Sequence, residues 1–127
     1  MPMKIGMTSV FVDDPVRAFA FYTEVLGFSK KLFLPKQWIA IVVSEDEPEG
    51  TSLMLEPNHN AIAKRYQTGL YKAGIPCIVF TTTDIQNEYT RLANLGIKFR
   101  NVPAKTEYGI EALFEDGFGN IIQLVQD

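Results

Sequence analysis

The chain contains an internal repeat with a period of about 70 residues, which constrains its fold more than any single motif does. Asp14 and Asp84 lie 70 residues apart, and the pairs Leu26-Gly27 and Leu95-Gly96 lie 69 residues apart. Each aspartate follows an apolar run and begins a stretch with helical spacing of apolar residues, which the Leu-Gly pair ends. Three strand-like runs follow in each copy. The sequence therefore predicts two copies of strand–helix–strand–strand–strand.

The repeat divides the chain into two modules and a connector within a single domain of 127 residues. Module one is predicted at residues 1–56, the connector at 57–74 and module two at 75–127. Helices are predicted at 15–26 and 84–95, and strands at 5–12, 29–34, 37–43, 52–56, 75–82, 98–102, 109–115 and 121–125. In the connector, Ile62, Tyr66 and Leu70 recur every fourth residue, which predicts a short amphipathic helix.

A four-stranded sheet with one helix leaves one sheet face uncovered, and a second sheet is needed to bury that face. The expected fold is therefore α+β, with two βαβββ modules forming a curved, partly closed mixed β-sheet barrel with the helices outside. The cavity enclosed by such sheets is where function is expected.

Composition excludes several classes of protein. The net charge of −3 and the pI near 5.1 argue against a nucleic-acid partner, which requires clustered Lys and Arg. No apolar run approaches the roughly 20 residues that span a bilayer, so no membrane partner is expected. The single cysteine excludes an internal disulfide and fits a reducing compartment. We therefore expect a cytoplasmic protein.

An ordered set of short motifs covers nearly the whole chain. Its members are Val12-Asp13-Asp14, Phe21-Tyr22, Leu26-Gly27-Phe28, Asp84, Leu95-Gly96-Ile97, the turn with Asp116, Gly119 and Asn120, and Ile122-Gln123-Leu124. This set resembles the vicinal oxygen chelate superfamily, which contains glyoxalases, extradiol dioxygenases, fosfomycin-modifying enzymes and bleomycin-resistance proteins. The closing turn departs from the family pattern, since Gly117 stands where proline is common.

The resemblance implies four positions at which metal-using members carry ligands, usually His, Glu or Gln. In this chain they hold Met7, Met54, Cys77 and Gln123. A divalent ion such as zinc or manganese prefers imidazole and carboxylate ligands, and the set contains neither. The sequence therefore predicts no metal, no cofactor and no catalytic residue.

Three alternatives for a metal remain open. Glu56 lies two residues beyond Met54, hence on the same strand face, and a shifted register could use it. The sulfur atoms of Met7, Met54 and Cys77 would suit Cu(I), although such residues more often only pack. His59, the single histidine, follows the fourth strand. Cys77 would act as a nucleophile only if a base or a positive field activated it.

Ligand-binding residues follow from the alternation of side chains along the strands. The predicted set is Met7, Ser9, Phe11, Trp38, Met54, Glu56, Cys77, Val79 and Gln123. Tyr108 is a further candidate aromatic wall, and the pattern does not assign Glu111 to either face of its strand. The competing interpretation is that these residues only fill the core.

The sequence favours a metal-independent small-molecule-binding protein of the glyoxalase/bleomycin-resistance type. Glu56 would suit a cationic or amine-bearing ligand. The alternative is a metal-dependent glyoxalase-like lyase or ring-cleaving dioxygenase with relocated ligands, and a third hypothesis is a regulatory partner whose cavity is filled. A homodimer is expected because each module leaves a sheet face open.

Overall fold

Each half of the chain folds as the strand–helix–strand–strand–strand unit that the repeat predicts. The computed structural model describes residues 2–127, and the boundary between the two units falls between Asn60 and Ala61. These residues form three α-helices and two four-stranded mixed sheets, which confirms the α+β class and the two βαβββ modules. None of the helices within residues 2–127 is long and apolar enough to cross a membrane.

The elements follow the predicted order closely. The first unit contains β1 (Met7–Val12), α1 (Pro15–Ala20), β2 (Ser29–Leu34), β3 (Ile39–Val43) and β4 (Ser52–Pro57). The second contains α2 (Ala61–Ala73), β5 (Ile78–Thr81), α3 (Ile85–Asn94), β6 (Ala104–Thr106), β7 (Gly109–Glu115) and β8 (Ile121–Gln126). A turn of π-helix at Phe21–Val25 extends α1, and a 3-10 turn at Pro35–Gln37 precedes β3. The helix predicted in the connector is α2.

The landmark residues of the repeat form the ends of α1 and α3. The Asp14 carboxylate accepts a hydrogen bond from the backbone N–H two residues ahead at 3.0 Å. The Asp84 carboxylate accepts one from the N–H three residues ahead at 3.1 Å. After the helices, Gly27 and Gly96 adopt φ of +93° and +88°, a conformation that glycine adopts without steric cost. These local signals explain why the helices begin and end where the sequence predicts.

The two sheets have the same strand order, β1-β4-β3-β2 and β5-β8-β7-β6, and the first pair in each is parallel. One face of each sheet is buried and includes Val10, Val12, Ala40, Val42, Leu53 and Leu55 in the first unit and Ala112, Phe114, Ile122 and Leu124 in the second. α1 contacts β3 and β4, and α3 contacts β7 and β8. The opposite face of each sheet is called here the open face.

The edge strand of the second sheet lies later in the chain than the predicted 98–102, so that prediction was wrong. Phe99 forms only an isolated bridge to β7. The Asn101 side chain then replaces the backbone ladder, because its Oδ1 accepts the N–H of Leu113 at 2.8 Å. Pro103 has no N–H to donate. Regular pairing resumes only in β6.

The closing turn of the second unit is tied to α2 by a buried polar network. Asp116 accepts hydrogen bonds from the backbone N–H groups of Phe118 (2.7 Å) and Asn120 (3.1 Å), and from the Asn120 side-chain amide (2.8 Å). From α2, Gln67 donates to the Asn120 side chain at 3.2 Å and to the Phe118 carbonyl at 2.9 Å. The turn motif therefore has a structural role, because its polar groups are used within the fold.

Candidate functional site

The open face of the second sheet carries a small group of interacting polar side chains. Gln123 on β8 pairs with Leu113 on β7 and with Val79 on β5, so these three side chains share the open face. Glu111 lies two residues before Leu113 and therefore points to the same side. The Gln123 side-chain amide donates a hydrogen bond to one oxygen of the Glu111 carboxylate, and the Thr106 hydroxyl contacts the other oxygen.

This polar group lies in a cavity of about 330 Å³. The lining residues are Pro76, Asn101, Ala104, Thr106, Glu111, Ala112, Leu113 and Gln123. Small-molecule pockets commonly have volumes from about 300 Å³ upward, with apolar walls and a few placed polar groups. The cavity is open to solvent on one side and meets that description in its lining and at the lower end of the size range. Glu111 is the single charged residue of its lining.

Thr106 connects the polar group to the turn between β6 and β7. Its hydroxyl oxygen accepts the backbone N–H of Tyr108 at 3.1 Å. The same oxygen lies 3.2 Å from the carbonyl of Gly109, besides contacting the Glu111 carboxylate. A hydroxyl has one proton, so Thr106 can donate to only one of these two acceptors at a time. The Glu111 oxygen that faces Thr106 can therefore give up this hydrogen bond and accept one from another donor.

Five of the residues predicted for binding lie on the open face of the first sheet: Met7, Ser9, Phe11, Met54 and Glu56. β1 and β4 run parallel, with Ser9 beside Met54 and Phe11 beside Glu56. Met7 is 52% exposed. None of the five lines the cavity of the second unit.

Trp38 lies in the turn before β3 rather than on the predicted strand 37–43. It adopts a left-handed conformation with φ of +57°, which is rare for a bulky side chain and costs free energy. Its ring packs edge-on against His59, with ring centroids 4.8 Å apart. His59 Nε2 lies 3.1 Å from the carbonyl oxygen of Asp13. The single tryptophan and the single histidine of the chain thus form one aromatic pair in the first unit.

Cys77 precedes β5, and its backbone N–H donates to the carbonyl of Ile121 at 3.0 Å. Burial, and secondarily the negative charge of Asp116, raise the pKa of the Cys77 thiol from 9.0 to about 11. The thiol is therefore protonated at neutral pH. A protonated thiol is a poor nucleophile, and a metal ion could bind it only by displacing its proton.

The residues at the four family ligand positions do not fit a divalent ion. Met7 and Met54, in the first unit, offer thioethers. In the second unit Cys77 offers a neutral thiol, and Gln123 is engaged with Glu111. Within residues 2–127 there is no group of three or more His, Cys, Asp or Glu side chains that could hold a metal ion. The donor set is therefore chemically unsuited to zinc, nickel, manganese or iron(II).

The sequence left the facing of Glu111 open and did not identify Thr106 as a site residue. A usable signal was present in β7, where Glu111, Leu113 and Glu115 alternate with the buried Ala112 and Phe114. That alternation places the two glutamates on the face opposite the helix. Gln123 was predicted and lines the cavity, and Val79 lies beside it on β5.

Comparison with known proteins places this geometry in a family. The family model described as Glyoxalase/Bleomycin resistance protein/Dioxygenase superfamily matches residues 4–124. A curated relative, YurT of Bacillus subtilis (strain 168), is 46% identical over 127 residues, covering 98% of this chain and 99% of that protein. The crystal structure of UcmS2 is 28% identical, with a TM-score of 0.81 and full coverage of both chains. TnmS3, an antibiotic binding protein from Streptomyces sp. CB03234, is 24% identical, with a TM-score of 0.73 and coverage of 99% and 96%.

Proposed function

The chain belongs to the glyoxalase/bleomycin resistance protein/dioxygenase superfamily, and we propose that within it this protein binds a small molecule without a metal. The observation that carries the proposal is the cavity of about 330 Å³ on the open face of the second sheet. Apolar walls supply contact area, and the group formed by Thr106, Glu111 and Gln123 supplies orientation. TnmS3, an antibiotic binding protein, has a similar fold, so a fold of this kind can bind a small molecule.

The proposal that binding is metal-independent rests on the chemistry of the available donors. Two thioethers, a neutral thiol and an amide lack the anionic or imidazole groups on which affinity for divalent ions depends. The alternative function, a metal-dependent lyase or dioxygenase, would need ligands elsewhere, such as Glu56 and His59. Elemental analysis of protein purified without added metal or chelator separates the two. Stoichiometric zinc, nickel, iron or manganese would favour the alternative.

A second set of ligand contacts is proposed on the open face of the first sheet. Phe11, Met54 and Glu56 are half-buried there, and Ser9 lies beside Met54. Met7 and the Trp38–His59 pair would complete these contacts in the first unit. In the second unit, Cys77 and Val79 would add to the contacts made by Gln123.

We further propose that the protein acts as a homodimer in the cytoplasm. Apolar side chains remain exposed on the open faces, among them Met7, Leu32 and Leu34 in the first unit and Val79 in the second. A second copy could cover them, and a standard interface buries roughly 1,200–2,000 Å² in total. The free thiol of Cys77 fits a reducing compartment. Sedimentation at micromolar concentration tests the dimer.

The cavity itself is tested with Ala104→Trp, which introduces a large ring on the open face of the exposed edge strand β6. Lys105→Trp is the matched control, because Lys105 is the next residue on that strand and pairs with Ile110 toward the other face. A fragment library is screened by ligand-observed NMR against the wild type, Ala104→Trp and Lys105→Trp. We expect compounds that bind the wild type and Lys105→Trp to be lost in Ala104→Trp. Equal binding to all three proteins would contradict the proposed site.

A further inference from the structure

We infer that Glu111 anchors the ligand of this cavity and selects molecules that present a cationic ammonium or amidinium group. The inference rests on the proposed function, since it assigns a ligand class to the same cavity. Three observations support it: the charge of the lining, the hydrogen bonds of Glu111, and the contrast with the neighbouring glutamate on the same strand.

The charge of the lining is uncompensated. Glu111 is the single charged residue among those that border the cavity. Two ion pairs of the described residues join Arg91 to Glu88 and Arg100 to Glu115, and Glu111 takes part in neither. A half-buried carboxylate that faces a cavity without a counter-ion attracts a ligand cation and repels a ligand anion.

Glu115, by contrast, is a carboxylate of the same sheet whose negative charge is compensated. It lies four residues further along β7, on the same face. Tyr71 donates a hydrogen bond to one of its oxygens at 2.7 Å, and the Arg100 guanidinium donates to the other at 3.2 Å. Glu111 has only neutral hydrogen-bond donors, the amide of Gln123 and the hydroxyl of Thr106. Of these two glutamates, Glu111 is therefore the one whose charge a ligand can neutralise.

The hydrogen bonds of Glu111 leave its carboxylate free to bind a ligand without a large loss of existing hydrogen bonds. A carboxylate has about four lone-pair sites, so the bond from Gln123 fixes its orientation without filling it. Thr106 can turn its proton to the carbonyl of Gly109, 3.2 Å away, and so free the second oxygen. The exposed Thr106 hydroxyl keeps an acceptor after this change. A planar amidinium, with two parallel N–H groups, suits a carboxylate presented in this way.

The test uses the full chain and three probes of nearly equal shape: benzamidine as the cation, benzamide as the neutral analogue and benzoate as the anion. Binding is measured by calorimetry and by chemical shifts of the β7 and β8 amides. We expect benzamidine to bind at least about tenfold more tightly than benzamide, because charge-assisted hydrogen bonds are roughly twice as strong as neutral ones. Benzoate should bind most weakly. The preference for benzamidine should weaken as salt is added.

The variant Glu111→Gln keeps the shape of the side chain and removes its charge. We expect its affinity for benzamidine to fall about tenfold, to that of benzamide, with the circular dichroism spectrum unchanged. Glu107→Gln is the control, since Glu107 is an exposed carboxylate in the same hairpin and does not line the cavity. An unchanged preference in Glu111→Gln would overturn the inference, and so would a loss of preference in Glu107→Gln.

The two proposals fail in different ways. If benzamide or benzoate binds as tightly as benzamidine and Ala104→Trp blocks all three, the cavity binds small molecules but the cation selectivity is refuted. If neither the probes nor the fragment library binds in a manner sensitive to Ala104→Trp, the proposed function itself is refuted.

Discussion

The phenol oxygen of Tyr71 lies 2.7 Å from Oε1 of Glu115, which joins α2 to the end of β7. Arg100 completes the cluster, with its guanidinium carbon 5.1 Å from the centre of the Tyr71 ring and its Nε 3.2 Å from Oε2 of Glu115. The hydrogen bond from Tyr71 is the main cause that holds the pKa of Glu115 below its ordinary value, and the charges of Lys98 and Arg100 add to it.

Tyr71→Phe should therefore raise the pKa of Glu115. A carboxyl whose pKa is lowered by folding stabilises the protein above its unfolded pKa, and this stabilisation is lost as the pH falls through the folded pKa. The variant should lose it at a higher pH and unfold in less acidic solution, with a cost of about 1 kcal/mol at neutral pH. An NMR titration of the Glu115 carboxyl carbon measures the change. Tyr108→Phe, at an exposed tyrosine, should leave that titration unaltered.

Cys77 should affect the free energy of unfolding in alkaline solution, where its stabilising contribution is lost as the pH rises rather than as it falls. Its folded pKa, about 11, lies above the ordinary value of 9.0, so its contribution is fully present below pH 9 and is lost as the pH rises toward 11. The free energy of unfolding of the wild type should therefore fall more steeply across that window than that of Cys77→Ala. Urea denaturation at a series of pH values gives both curves. Parallel curves would refute the assigned cause.

The left-handed conformation of Trp38 predicts an unusual order of stability between two variants. Trp38→Ala and Trp38→Gly both lose the ring contact with His59. Glycine, however, adopts φ of +57° without the steric cost that alanine bears. We expect Trp38→Gly to be about 1 kcal/mol more stable than Trp38→Ala, by chemical denaturation. At ordinary helix or strand positions the order is the reverse, so a more stable alanine variant would show that the turn has relaxed.

Asn120→Ala should be among the more damaging substitutions that remove a polar side chain. It leaves the Gln67 amide without one of its acceptors and Asp116 without one of its donors, in a buried environment. Gln67 keeps its bond to the Phe118 carbonyl, and Asp116 keeps those from two backbone N–H groups. The loss is therefore that of two buried hydrogen bonds, one of them to a carboxylate, and we expect it to lower the free energy of unfolding by about 2–4 kcal/mol. Asn94→Ala, at the exposed end of α3, should stay within about 0.5 kcal/mol of the wild type. Comparable losses in both variants would contradict this explanation.

The parts of the fold that the sequence predicted are those that depend on local chemistry. Asp14 and Asp84 cap helices through their own neighbouring N–H groups, and Gly27 supplies a conformation that few other residues tolerate. These effects act within a few residues and leave a readable pattern. The repeat then extends the same interpretation from the first unit to the second.

The candidate site was harder to predict because it depends on an irregular strand. β6 begins after Asn101 has replaced part of the ladder, and this shift decides that Thr106, rather than a residue of 98–102, faces Glu111. The sequence did not reveal the conformation of Trp38 either, because an aromatic residue beside an apolar run is typical of a strand. In both places a tertiary contact overrides the local pattern.

The hydrogen bonds of the Asn101 side chain affect which substitutions this sheet edge can tolerate during evolution. Regular sheet edges are held by main-chain groups, which nearly every substitution preserves. Between Arg100 and β6, by contrast, the side-chain amide of Asn101 makes the bonds to the Val102 carbonyl, the Glu111 carbonyl and the Leu113 N–H. A substitution at Asn101 should therefore loosen the segment that leads into β6, whereas β6 itself stays paired with β7 through main-chain groups. The segment before β6 is thus the part of this sheet edge that depends on the identity of one side chain.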